Sequence, residues 1–245
     1  VQAVGLSLGS LALGWVIYDG LCKTPAGKDL RLLGILVYAV VILAAYGYSE
    51  VFSSRAALLH VGAMVATWMT GNVFFIIIPN QKKVVASLQQ GKTPDPALGQ
   101  QAKQRSTHNN YLTLPVLFMM LSNHYPMTFV GEDLWILVAL VVLIGAIIRD
   151  YFNAGHAGAT GLRVRWQWPI ASALIVILAV WAKPTTVTLD ANQKFKDDDV
   201  QIIVSTHCAV CHALQPTMPG FSAPPKGVVL ENLADVQKYK QQVYA

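Results

Sequence analysis

Two cysteines and a histidine near the C-terminal end of the chain have types and spacing that suit one particular chemistry. Cys208 and Cys211 are separated by two residues, and His212 follows directly. On a helix this spacing puts the two thiols about one turn apart, so both can form thioethers to one ring while the adjacent imidazole ligates its metal. The motif predicts a covalently attached c-type haem (haem c) held by Cys208, Cys211 and His212.

Two other kinds of site also use closely spaced cysteines. A structural zinc site needs about four ligands, but the only other cysteine is Cys22, far from the motif. A thioredoxin-like dithiol usually accompanies a βαβ pattern, which this sequence lacks. Met218 is the sole methionine after His212, and so short a loop would have to wrap around the ring to supply a sixth ligand. We therefore expect that ligand beyond residue 245.

The rest of the chain has the composition of a membrane protein. Of its 245 residues, 54% are hydrophobic and 13% are charged, against about 25% charged in globular proteins. Apolar runs close to the roughly 20 residues that a spanning helix needs occur six times, at Val1–Tyr18, Leu32–Tyr48, Ala56–Ile78, Tyr111–Val130, Leu134–Phe152 and Trp166–Ala182. The fold class predicted is all-α, a polytopic transmembrane helical bundle embedded in a lipid bilayer.

The charges of the connecting loops predict how the bundle is oriented. Lysine and arginine are concentrated after the first, third and fifth spans, which makes these loops cytoplasmic by the positive-inside rule. They form no stripe interleaved with aromatic residues, so we expect no nucleic-acid partner. We expect a multi-pass protein of the bacterial inner membrane, with everything after Ala182 in the periplasm. Bacteria attach c-type haem on that side.

Three regions follow from this pattern: a transmembrane domain at 1–182, a linker at 183–196 and a small c-type cytochrome domain at 197–245. Because the chain starts inside an apolar run and ends in a predicted helix, Asn232–Tyr244, we expect both ends to be truncated. Two helix starts are also predicted. Asp95 before Pro96 is typical of an N-cap with proline at the first helical position, and the three aspartates from 197 to 199 precede an amphipathic helix leading into the cysteine motif.

Ionisable side chains at membrane depth indicate function by default. His60 and His124 are both expected in the outer leaflet, where they are candidate ligands of a second, b-type haem in the membrane domain. The alternative for each is an interfacial or hydrogen-bonded histidine. His108 is expected near the cytoplasmic face, and so are Arg149 and Asp150, which are consecutive in the sequence. That pair is either an interfacial snorkelling pair or the site of an anionic substrate.

Several of these residues lie in segments that resemble the membrane-bound urate oxidase (urate hydroxylase) family, in which a multispanning domain is fused to a C-terminal cytochrome c. The resemblance is carried by three segments, 59–75, 104–115 and 122–126, which include Leu59-His60-Val61-Gly62, Gln104-Arg105-Ser106-Thr107-His108-Asn109-Asn110-Tyr111 and Ser122-Asn123-His124-Tyr125-Pro126. It extends over essentially the whole chain, which lacks the family's first spans and the end of its cytochrome domain.

The resemblance implies oxidation of urate to 5-hydroxyisourate, with electrons leaving through the haem to a downstream respiratory acceptor. Within the matching segments, we predict that His108 assists proton removal and that Arg105 and Asn109 hydrogen-bond the urate anion. Two alternatives remain. A non-catalytic respiratory subunit relaying quinol electrons would use the same haems without a purine pocket, and a transporter would leave the cytochrome without a role.

Overall fold

Every regular element in the described part of the chain is a helix. The computed structural model describes residues 2–124, 133–182, 196–218 and 222–240. The α-helices are α1 Gln2–Lys23, α2 Leu30–Ser49, α3 Ser54–Gly71, α4 Ile78–Gln89, α5 Pro96–Leu121, α6 Leu134–His156, α7 Gln167–Trp181, α8 Asp197–Ile203, α9 Ala209–His212 and α10 Leu233–Lys238. The chain divides into two units, Val1–Thr185 and Thr186–Ala245. The predicted linker, apart from Lys196, lies outside the described residues.

Five helical stretches among the described residues are long and apolar enough to cross a membrane. They are Val4–Lys23, Leu30–Ser49, Ser54–Gln89, Leu134–His156 and Gly161–Trp181. Large apolar side chains such as Leu8, Ile35 and Val176 are exposed on these helices, as expected where lipid is the solvent. Five of the six predicted spans are therefore confirmed as apolar helices of sufficient length, and the third extends beyond its predicted end.

The predicted fourth span, Tyr111–Val130, is described only as far as His124. Its helix, α5, runs from Pro96 to Leu121, and residues 125–132 lie outside the described part, so the full span stays a prediction. The Asp95 carboxylate accepts a hydrogen bond from the Ala97 amide at 2.9 Å, which confirms the predicted N-cap. Because α5 packs against α3, α4 and α6, its polar residues Arg105 and His108 are buried within the protein, and this face of the helix need not be apolar.

A π-helical turn joins α3 to α4 into one continuous helix. It comprises Asn72–Ile77 and ends two residues before Pro79. Proline has no amide hydrogen, and its ring clashes with the carbonyl four residues earlier, here that of Phe75. A wider turn relieves that clash, and such turns occur frequently at functional sites. The turn buries Asn72 completely.

Two glycines allow helices to approach closely. A Cβ on Gly71 would lie 2.6 Å from the Trp15 ring, and a Cβ on Gly145 would lie 2.7 Å from the Pro115 ring. The first contact brings α1 against α3, and the second brings α5 against α6. Pro115 therefore does not break α5, which continues to Leu121, and its ring packs where Gly145 leaves room.

Gly145→Ala is expected to lower the free energy of unfolding by about 1–3 kcal/mol, because the new methyl group meets a rigid proline ring. Thermal unfolding of the detergent-solubilised protein measures the effect. Gly34→Ala is the matched control, since a Cβ there has nothing within 4 Å and alanine is the better helix former. Equal melting temperatures for the two variants would contradict the close packing of α5 on α6.

The C-terminal unit presents the cysteine motif at the end of a short helical run. α8 starts after Lys196 with three aspartates in its first turn, as predicted, and a π-helical turn at Val204–Cys208 leads into α9. The Asn232 side chain caps α10 by accepting from the Asp235 amide at 3.0 Å. The predicted helix at Asn232–Tyr244 is therefore confirmed in its first part, since 241–245 lie outside the described residues.

Candidate functional site

Two of the three predicted catalytic side chains are buried on the inner face of α5. Arg105 is 3% exposed and His108 is 7% exposed. Their spacing of three residues puts them on the same face of the helix, where α1 and the π-helical turn after α3 meet α5. The structure therefore brings Arg105 and His108 into one cluster, with Asn109 beside it.

Arg105 is held from three sides. One guanidinium nitrogen, Nη2, donates to Asp19 Oδ1 at 2.6 Å, and Nη1 donates to Asn72 Oδ1 at 3.2 Å. The guanidinium carbon also lies 5.2 Å from the centre of the Tyr18 ring, within the range of a cation–π contact. Because Asp19 already balances its charge, Arg105 orders the cluster and is a poorer anion ligand than the sequence predicted.

His108 faces α1. Its Nδ1 lies 2.8 Å from the Tyr18 hydroxyl and 4.0 Å from the Cys22 sulfur. The Tyr18 oxygen accepts from the Asn72 amide at 2.9 Å, so its own hydrogen is available for His108. Buried Nε2 has no hydrogen-bond partner among the described residues.

The electrostatics of this pocket keep His108 uncharged. The residue lies on the polar first half of α5, outside the five apolar spans. Burial, reinforced by the nearby Arg105 charge, lowers the pKa of His108 from 6.5 to about 4. At neutral pH the imidazole is therefore uncharged, which is the protonation state that a general base requires.

Asn109 reaches the cluster through Asn72. The Asn72 amide donates to Asn109 Oδ1 at 2.7 Å, and the Asn109 amide donates to the Met69 carbonyl at 2.9 Å. The π-helical turn positions Asn72, and Asn109 fixes its orientation. Both Asn109 groups are thus used within the protein.

Four members of this cluster were not predicted from the sequence: Tyr18, Asp19, Cys22 and Asn72. Each lies at or near the end of an apolar run. All four are far from α5 in the sequence, so their contacts with Arg105 and His108 could not be inferred from sequence position. One signal was available, since an aspartate or asparagine within an apolar helix is a functional candidate by default.

A cavity of about 730 Å³ adjoins the cluster. It lies between the α1–α2 connection and the first half of α5, where the Gln104 side-chain amide donates to the Gly27 carbonyl at 2.6 Å. Its lining combines cations and amides with two apolar side chains: Lys23, Lys28, Lys103, Arg105, Gln100, Gln101, Gln104, Cys22, Thr24, Gly27, Thr107, Leu30 and Ile76. Cys22 belongs both to the cavity wall and to the surroundings of His108.

A second polar cluster joins α5, α6 and α7. Arg149 Nε donates to the side-chain oxygen of Asn110, Oδ1, at 2.8 Å, while the Asp150 carboxylate accepts from the Tyr111 hydroxyl at 3.1 Å and from the Gln167 side-chain amide at 2.9 Å. Arg149 and Asp150 thus have separate partners on α5 and do not form a simple pair. These hydrogen bonds give both residues a structural role in joining the helices.

His60 and His124 lie in different surroundings. His60 donates from Nδ1 to the Ala56 carbonyl at 2.9 Å, its Nε2 accepts from Ser7 at 2.6 Å, and its ring stacks on Phe52. Both ring nitrogens are therefore occupied, whereas His124 is exposed. Their shared ligation of a haem stays a prediction without support from these contacts. No group of three or more histidine, cysteine or acidic side chains in the described residues could hold a metal ion.

The cysteine motif has features that fit a covalent haem. Cys208 and Cys211 are free thiols, each partly exposed. His212 Nδ1 lies 2.8 Å from the Val228 carbonyl. Because a carbonyl can only accept, Nδ1 carries the hydrogen and Nε2 keeps the lone pair that a metal would need. Apolar side chains near the motif are exposed, as suits an apolar ring: Ile202, Ile203, Leu214 and Met218.

The five long apolar helices are compatible with a multi-pass helical membrane protein, and the polar cluster buried among the helices is a candidate ligand site. The family is also defined. Residues 1–183 match the model of the urate oxidase N-terminal family, and the chain belongs to that family. Comparison with curated proteins and with solved structures found no match. Family membership points to a urate-related oxidoreductase.

Proposed function

We propose that this chain oxidises urate to 5-hydroxyisourate and passes the electrons to a c-type haem in its C-terminal unit. Membership of the urate oxidase N-terminal family supports urate as the substrate. The observation that carries the proposal is the buried cluster of Tyr18, Arg105 and His108 beside a cavity rich in cations. A haem on the outer face would suit the loop charges of an inner-membrane protein.

The reaction determines what the first unit, Val1–Thr185 (the membrane unit), must do. Urate and water become 5-hydroxyisourate with release of two electrons and two protons, so the site must bind an anion and accept a proton. His108 is the proton acceptor, at Nδ1, and the route from the cavity passes the Cys22 thiol or the Tyr18 hydroxyl. Arg105 positions Tyr18 and Asn72, and Asn109 positions Asn72.

The C-terminal unit would hold the electron acceptor. Cys208 and Cys211 would form the thioethers, and His212 would ligate through Nε2 while the Val228 carbonyl fixes its ring. When bound, the haem supplies a one-electron acceptor. The electrons would then leave to a downstream respiratory partner.

Anaerobic mixing of urate with the oxidised full chain should reduce about two haems per urate, because the substrate loses two electrons and each iron accepts one. Absorbance of the reduced c-type haem measures this yield. Little hydrogen peroxide should form in air, and Cys208→Ser should weaken the covalent haem attachment seen on denaturing gels.

The same experiment separates the proposal from its alternative. If a quinol reduces the haem while urate leaves it oxidised, the chain is a respiratory relay and not a urate-oxidising enzyme. A haem band of unchanged intensity in the Cys208→Ser and Cys211→Ser double variant would contradict the haem assignment.

A further inference from the structure

The cavity between the α1–α2 connection and α5 has an unbalanced positive charge. Four cations line it: Lys23, Lys28, Lys103 and Arg105. Asp19 pairs with both Lys23 and Arg105. Among the described residues neither Lys28 nor Lys103 has a carboxylate partner. These two side chains are therefore free to face an anion.

The other lining residues indicate which class of anion would fit the cavity. Gln100, Gln101 and Gln104 bring side-chain amides to the wall, while Leu30 and Ile76 add apolar surface. Amides match the alternating N–H and C=O groups at the edge of an oxidised purine, and apolar side chains suit the faces of its ring. A phosphate has no ring faces to pack and no donor edge for the glutamine oxygens.

We propose that this cavity is the binding site of the purine anion, and that Lys28 and Lys103, not Arg105, hold its charge. The identity of the anion rests on the proposed function. The ligand would lie against Cys22, the lining residue that contacts His108. The substrate would then enter at the end of the bundle that carries the α1–α2 connection.

Binding can be measured apart from turnover. Radiolabelled urate is equilibrated with the dithionite-reduced full chain in detergent, so that no electrons can be accepted. The Lys28→Gln and Lys103→Gln double variant should raise the Kd about tenfold, and salt should weaken wild-type binding more than binding to the variant. The matched control is the Lys83→Gln and Lys92→Gln double variant, which removes the same charge outside the cavity and should bind like wild type. Equal Kd values for all three proteins would overturn the proposal.

Alkylation of Cys22 tests independently whether the ligand binds in this cavity. It is the one cysteine of the chain outside the haem motif, and peptide mass spectrometry can follow its alkylation by N-ethylmaleimide specifically. Urate at about ten times its Kd should slow this alkylation roughly tenfold in wild type. Slowing by anionic-lipid nanodiscs but not by urate would assign the cavity to a lipid headgroup and overturn the proposal.

The two hypotheses fail differently in these measurements. Urate that reduces the haem without protecting Cys22 would overturn this site and leave the proposed function intact. Urate that protects Cys22 without reducing the haem would support the site and count against the proposed function.

Discussion

Asp19→Ala should lower the free energy of unfolding by about 3–5 kcal/mol, the largest stability effect expected in the membrane unit. The change leaves the Arg105 guanidinium buried, at 3% exposure, without its carboxylate. Removing one partner of a buried ion pair costs far more than the pair contributes, since the remaining charge is desolvated and uncompensated. Thermal unfolding in detergent, followed by intrinsic fluorescence, measures the loss.

The chain offers a matched control for this prediction. Lys23 pairs with the same carboxylate, but its side chain is 67% exposed, so Lys23→Gln should cost less than about 1 kcal/mol. Replacing both Asp19 and Arg105 with apolar residues should recover much of the stability lost in Asp19→Ala. Similar melting temperatures for Asp19→Ala and Lys23→Gln would contradict the burial of the Asp19–Arg105 pair.

His108→Ala should slow urate-dependent haem reduction by about 10²–10⁴-fold, the range typical of losing a general base. Tyr18→Phe should have a smaller effect, because it removes the hydrogen bond to Nδ1 and keeps the imidazole. Stopped-flow absorbance measures the rates. His156→Ala is the control, since that histidine is exposed at the end of α6.

The pH dependence distinguishes a base from a structural residue. The lowered pKa, about 4, leaves His108 unprotonated above about pH 5, so its contribution to kcat/KM should be constant from about pH 5.5 to 8 and fall at lower pH as the ring gains a proton. This fall in kcat/KM at low pH should be missing in His108→Ala, while the c-type spectrum stays unchanged. The same fall in the variant would contradict the role of His108.

Local signals in the sequence predicted most of the fold. Apolar runs located five spans, and the cap at Asp95 placed the start of α5. The predicted fourth span, Tyr111–Val130, stays a prediction because residues 125–130 lie outside the described part, but its helix α5 packs against α3, α4 and α6. Its buried polar residues Arg105 and His108 contact side chains from distant segments of the chain, which no local sequence pattern indicates.

The candidate site was predictable only on the α5 side. Arg105 and His108 were chosen from one continuous segment, but their partners Tyr18 and Asn72 come from α1 and from the π-helical turn after α3. His60 was linked to His124 through shared depth, yet its hydrogen bonds go to Ser7 and Ala56. The position of a residue along its helix predicts its depth in the membrane. Which side chains it contacts depends on how the helices pack.

The π-helical turn at Asn72–Ile77 constrains the length of the chain as well as its composition. A π turn holds one residue more than an α turn, and each residue rotates a helix by about 100°. Deleting one residue there would restore regular α-helical bonding but swing Asn80, which donates to Gln101 on α5 at 3.1 Å, away from its partner. An insertion or deletion at this point therefore moves every later residue of the helix around its axis, whereas substitutions leave that register unchanged.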